Sequence, residues 1–125
     1  NSSLIKPSDT SFSYRIQVIN IEELLNNYDL KNKPIKLLKL EAQGSEPEVI
    51  RGAISCLPNI KYIAADLGHE RGIAKENTVA DVTNELLGNG FIIESCNISP
   101  RRVSVLYKSK SSLKWFLHLN TFNLT

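Results

Sequence analysis

Apolar and polar positions along the chain switch between two periods. Residues 12–19 alternate, with Phe12, Tyr14, Ile16 and Val18 set against Ser13, Arg15 and Gln17, the pattern of a half-buried strand. From Asn20 the period lengthens. Ile21, Leu24, Leu25 and Tyr28 share one helical face, with Asn20 as N-cap and Glu23 three residues on, as in a capping box. Residues 31–34 read as a turn. Residues 35–40 form an apolar run broken by Lys36 and Lys39, which suits a largely buried strand. Ser45 and Glu48 make a second S-x-x-E box with Pro47 in the first turn. Val49, Ile50, Ala53, Ile54 and Leu57 then line a helix that Pro58 stops.

Residues 60–67 read as the next strand, and residues 68–77 as a polar loop long enough to be a candidate functional loop. Thr78 opens a helix that turns Val79, Val82, Leu86 and Leu87 inward, and Gly88-Asn89-Gly90 closes it. Residues 91–96 and 103–108 are strands whose connection is too short for a crossover helix, so they form an antiparallel hairpin. Residues 111–119 suggest a last helix, with Trp115 and Phe116 as packing aromatics.

The predicted order is βαβαβαββ plus a tail: an α/β fold, with a mostly parallel sheet covered on both faces and a C-terminal antiparallel hairpin. One domain spans 1–125, with its core at about 12–108 and a tail at 109–125. There is no internal repeat. The net charge of +2 has acids and bases interspersed, which gives no preference for nucleic acid. No apolar run approaches the roughly 20 residues of a membrane span, and no signal-peptide pattern is present. Cys56 and Cys96 lack CxxC spacing and are expected to be buried free thiols, fitting a reducing, cytoplasmic setting. Three Asn-x-Ser/Thr matches, beginning at Asn1, Asn97 and Asn123, are expected by chance in a chain this rich in Asn and Ser. The chain holds no methionine and reads as a processed chain or a fragment.

The run ending at Leu40 meets an acid, Glu41, then a polar turn with Gly44, then a helix start containing Glu46. This is the grammar of a parallel strand feeding a helix, and ligands of open α/β sheets bind at that carboxyl edge. Asp66, His69 and Glu70 follow the next strand at the same edge. Each residue also has a structural reading. Glu41 can cap the turn, Glu46 and Glu48 lie in a first helical turn where acids are favoured, and His69 can simply be solvated. No spacing among these groups supports a metal. Arg101 and Arg102 read as a solvated hairpin tip.

The segment Leu37-Leu38-Lys39-Leu40-Glu41-Ala42-Gln43-Gly44-Ser45-Glu46-Pro47-Glu48-Val49-Ile50-Arg51-Gly52-Ala53 resembles the central motif of the FkbM-type methyltransferases, which use S-adenosylmethionine. That motif reads K-I-D, then x-E-G-x-E or x-Q-G-x-E, then an apolar helix ending in G-A. Lys39, Leu40, Glu41, Gln43, Gly44, Glu46, Gly52 and Ala53 occupy the matching places. Residues 18–25 are similar to the family's T-L-D-D-L-L segment, and residues 84–91 to its helix ending in N/E-x-G-F. The likeness covers roughly residues 14–108.

The chain departs from the pattern in two places. Glu41 stands where the family usually has Asp. None of the six glycines forms the Gly-rich turn that binds the donor. The resemblance therefore implies a partial Rossmann-like fold, the C-terminal half of the catalytic domain. It implies an O-methyltransferase acting on a small-molecule, sugar or polyketide hydroxyl, with S-adenosylmethionine as cofactor in the complete enzyme and its binding residues unassigned. Glu41 would be the base or orient the acceptor, and His69 would shuttle a proton. Glu46, Asp66 and Glu70 would bind the acceptor. The competing reading is a non-catalytic α/β binding or interaction module. On the fragment reading the exposed sheet edge favours self-association, whereas a self-sufficient module would stay a monomer.

Overall fold

The structure is a computed structural model and describes residues 14–111. Its elements are helix α1 (Ile21–Asn27), strand β1 (Ile35–Leu40), helix α2 (Glu46–Arg51), a 3-10 helix (Ile54–Asn59), strand β2 (Ile60–Arg71), the short strand β3 (Glu76–Asn77), helix α3 (Val79–Gly88), and strands β4 (Phe91–Ile98) and β5 (Arg102–Ser109). The fold is mixed α/β. The sheet runs β1-β2-β5-β4, with β3 paired to β2 off that path.

The pairing is less parallel than the sequence pattern predicts. Among the described residues only β1 and β2 pair in parallel, from Ile35 against Ile60 to Leu40 against Ala65. β5 inserts antiparallel between β2 and β4. As a result β1, β2 and β4 point the same way, although three of the four ladders are antiparallel. The hairpin itself is as expected. Its second strand takes the inner position, and Asp66 lies opposite Ser104 with Gly68 opposite Arg102.

One face of the sheet carries the core. Leu40 of β1, Ile63, Ala65 and Leu67 of β2, Phe91 of β4, and Val105 and Tyr107 of β5 pack against Ile50, Ala53, Cys56 and Leu57 and against Val82 and Leu86 of α3. Burying each large aliphatic or aromatic side chain contributes about 1.5–3 kcal/mol. The buried Tyr107 hydroxyl meets the Thr83 hydroxyl at 2.7 Å. Burial pushes the phenol's pKa up, and the Thr83 bond partly offsets that. Among the described residues the opposite face has no helix over it, and Leu37 there is 54% exposed. Coverage of both faces, expected from the alternation of elements, is not what these residues supply.

Several local expectations change for identifiable reasons. Residues 14–20 form no strand and are exposed, with Tyr14 at 88%. Alternation suits a strand, but a strand also needs a ladder partner, and no described edge pairs with it. Residues 12 and 13 and the expected helix beyond residue 111 lie outside the described residues.

The helix expected through Leu57 breaks at Gly52, and Pro58 sits inside a 3-10 helix instead of ending an α-helix. Ile54 and Leu87, expected inward, are exposed. The anticipated loop at 68–77 is a hairpin: β2 continues to Arg71 and turns back through Gly72 and Lys75, both at positive φ, into β3. Asn20 caps α1 as expected, its Oδ1 accepting the Glu23 N–H at 2.8 Å. Both cysteines are free, but only Cys56 is buried; Cys96 is exposed on the edge strand β4. No helix among the described residues is long and apolar enough to cross a membrane.

Candidate functional site

The turn after β1 is built around Glu46, which is 1% exposed. Its Oε1 accepts the Ala42 N–H at 2.9 Å, and Oε2 accepts the Gly44 N–H at 3.0 Å. Gln43 and Gly44 both adopt positive φ, 49° and 99°, so the chain reverses tightly into α2. Gly44 lies directly on the end of β2, where a Cβ would come within 2.7 Å of the Arg71 Cα. Arg71 locks this contact. Its Nη1 donates to the Gly44 carbonyl at 2.8 Å, and the guanidinium grips both oxygens of Glu48, at 2.7 and 2.6 Å.

The capping box expected from Ser45 and Glu48 is therefore not formed. Ser45 makes no side-chain cap, and its hydroxyl is buried without a partner. Glu48 turns to Arg71 instead. That hydrogen bond, with Arg71 and Arg51 adding attraction, holds the Glu48 carboxyl below the ordinary glutamate value of 4.5. Because the folded pKa is depressed, this stabilisation is complete above the unfolded pKa and is lost as pH falls through the folded one. Both groups are partly exposed, so the pair is worth less than about 1 kcal/mol. Glu48→Gln should lower the thermal midpoint near pH 7, and its difference from the parent chain should shrink as pH falls through the depressed pKa of Glu48, as read by thermal melts at successively lower pH.

The second part of the site lies on the open face at the carboxyl end of β2. Arg102, the first residue of β5, sits opposite Gly68. It reaches one carboxylate on each side, Asp66 Oδ2 at 2.7 Å and Glu70 Oε1 at 2.5 Å. These acids, with Glu41 farther off, raise the guanidinium's pKa further. Asp66 Oδ1 is shielded from water and has no donor. Glu41 follows β1 on the same face as Lys39. Its carboxylate is 50% exposed and lies 3.3 Å from the Lys39 ammonium. Among the described residues no backbone N–H donates to it, so the turn-capping role open to Glu41 is filled by Glu46. A groove of about 430 Å³ runs along this face from Leu37 and Lys39 past Asp66 to Asn97.

Of the five residues singled out in the sequence, Asp66 and Glu70 thus gather around Arg102, and Glu41 lies farther off on the same face, paired with Lys39. Glu46 lies beneath the turn with its carboxylate committed to backbone. His69 alternates away from Asp66 and ties the β2–β3 hairpin. Its Nδ1–H donates to the Lys75 carbonyl at 3.1 Å, and its Nε2 accepts from the Asn77 amide at 3.1 Å. Asn77 Oδ1 accepts the Val79 N–H, which fixes the amide's orientation. Both ring nitrogens are thus engaged within the hairpin, away from the groove.

Arg102, expected as a solvated tip, is the centre of the cluster. Only the inner position of β5 reveals it; a signal in the sequence would have been the need for one cation between two acids spaced four apart. Arg71 was likewise missed, because its partners Gly44 and Glu48 come from another crossover.

The amides of Ala42 and Gly44 are already bonded to Glu46, and Gly44 packs on β2 with no room for a ligand. No group of three or more metal-ligating side chains occurs among the described residues. Comparison with protein-family models, with curated proteins and with solved structures finds no match.

Proposed function

We propose that this chain carries the acceptor side of an FkbM-type O-methyltransferase, with a Rossmann-like sheet completed and the S-adenosylmethionine donor held by polypeptide outside the described residues. The observation that carries the reading is the placement of Glu41. It follows a parallel strand at the sheet's carboxyl edge, on the same face as the groove, and its carboxylate takes no backbone bond among the described residues. There it can accept the proton of an acceptor hydroxyl, while Asp66 lines the groove on that face and is held by Arg102. The acceptor is a small molecule with a hydroxyl to methylate, of sugar or polyketide type. The parallel β1-α2-β2 unit supports the Rossmann-like completion, and the unpaired thiols support a reducing, cytoplasmic setting.

The test joins the chain to the polypeptide encoded directly upstream and measures methyl transfer from labelled S-adenosylmethionine to hydroxylated acceptors. Transfer by the joined protein, with no donor binding by the 125-residue chain alone, is the expected result. Micromolar donor binding by the short chain would overturn the division of labour.

The edge of β1 and the sheet face left open among the described residues favour a second reading, a non-catalytic module that pairs with a partner or with itself. A joined protein that neither binds the donor nor transfers methyl groups would select that reading.

A further inference from the structure

We infer that the open sheet face holds a subsite for an uncharged ligand with adjacent hydroxyl groups, read by Asp66, Ser104 and Asn97; this deepens the acceptor side of the proposed function and rests on it only for the fate of the ligand. Asp66 lies opposite Ser104, and Ser104 lies opposite Asn97. Residues directly opposite in a ladder share a face, so the three side chains form one row across β2, β5 and β4. Neighbouring strands are about 4.8 Å apart, so the row spans about 10 Å, enough for several ring substituents. All three residues line the groove of about 430 Å³, a volume within the usual range for small-ligand sites.

The chemistry of the row selects the ligand. Asp66 only accepts hydrogen bonds, whereas Ser104 and Asn97 both donate and accept. No side-chain hydrogen bond engages Ser104 or Asn97 among the described residues. Asp66 Oδ1 lacks a donor, and a shielded oxygen left so is unfavourable by about 1–3 kcal/mol. Arg102 holds Oδ2 and so fixes the carboxylate of Asp66 at the groove it lines. Arg102 is thus a positioning residue.

A hydroxyl both donates to Asp66 and accepts from Asn97; an anion cannot do the first. Arg102 is already held by two carboxylates and has no charge to offer an anion. A cation would meet Lys39, the other charged residue of the groove. Beside the row, Ala64 and Leu106 give an apolar floor for carbon-bound hydrogens.

The test is an amide-shift titration of the nitrogen-labelled 125-residue chain with myo-inositol and methyl glucoside, and with glucuronate and glucosamine as charged comparators. Neutral polyols should shift the amides of Asp66, Asn97 and Ser104 with a Kd of about 1 mM or weaker. Ser104→Val and Asn97→Leu should each weaken binding by about five- to tenfold, the loss of one hydrogen bond. Both positions are exposed, and an undisturbed remainder of the spectrum confirms the fold. Ser104→Ala, which adds no bulk, should give the same loss. Silence of these amides toward every neutral polyol, unchanged affinity in the variants, or tighter binding of either charged comparator would overturn the subsite. No methyl donor is present in these titrations. A failed subsite therefore leaves the methyl-transfer reading standing, and failed methyl transfer leaves a positive titration standing.

Discussion

Gly44→Ala should destabilise the fold by about 3 kcal/mol, the sum of a left-handed backbone forced on an L-residue and of overpacking. For a chain of this size that is a fall of roughly 10–20 °C in the thermal midpoint. Gly44 has φ of 99°, and its missing side chain is where the turn meets β2. An added Cβ would lie 2.7 Å from the Arg71 Cα and 2.8 Å from the Glu70 carbonyl oxygen. Both are backbone atoms of a paired strand, so neither can swing aside.

Any shift that relieves the clash also pulls Arg71 off the Gly44 carbonyl and disturbs its grip on Glu48. Gly88→Ala is the control. It lies in the last turn of α3 with nothing near its Cβ position, and alanine's helix preference there should stabilise by up to about 1 kcal/mol. Equal midpoints for the two variants would mean that the contact between turn and strand is not what holds the site edge together.

That contact shows which parts of the molecule could be read from the sequence. The strand at 35–40, the helix after Thr78 and the terminal hairpin have short-range signatures: an apolar run, a 3.6-residue stripe, two alternating segments with a short connection. Each of these appears in the structure. What the sequence did not reveal depends on neighbours distant along the chain. Tyr14, Ile16 and Val18 alternate well, yet they pair with nothing described, because pattern supplies a face and not a partner. Ser45 and Glu48 have capping-box spacing, but Arg71 offers Glu48 a bidentate charged partner that a reciprocal cap cannot match.

The site divides along the same line. Glu41 was legible as the acid ending a strand. Arg102 was hidden, because its importance comes from β5 lying inside the hairpin against β2, a choice of topology that hairpin length does not determine. Glu46 and Glu41 look alike in the sequence, since both are acids flanking the same turn. Only the geometry separates them, by committing one carboxylate to the Ala42 and Gly44 amides and leaving the other on the open face.

That separation makes opposite expectations for two single substitutions in the joined protein of the methyl-transfer test. Glu41→Gln keeps the side chain's shape and removes its charge. The fold loses only the exposed pair with Lys39, worth under about 1 kcal/mol, so the thermal midpoint should barely move. If Glu41 takes the acceptor's proton, turnover should fall by about 100-fold or more, the usual scale for loss of a general base, with donor affinity unchanged.

Glu46→Gln should show the reverse. Its carboxylate is buried and receives the turn's N–H groups. Replacing one oxygen by an amide turns an acceptor into a donor facing a donor, so stability should drop by about 1–3 kcal/mol. The rate per folded molecule should change far less than for Glu41→Gln. Measuring turnover and thermal midpoint on the same preparations gives four numbers. A normal rate for Glu41→Gln would remove Glu41 from the chemistry and leave Asp66, held by Arg102 at the mouth of the same groove, as the carboxylate to test next.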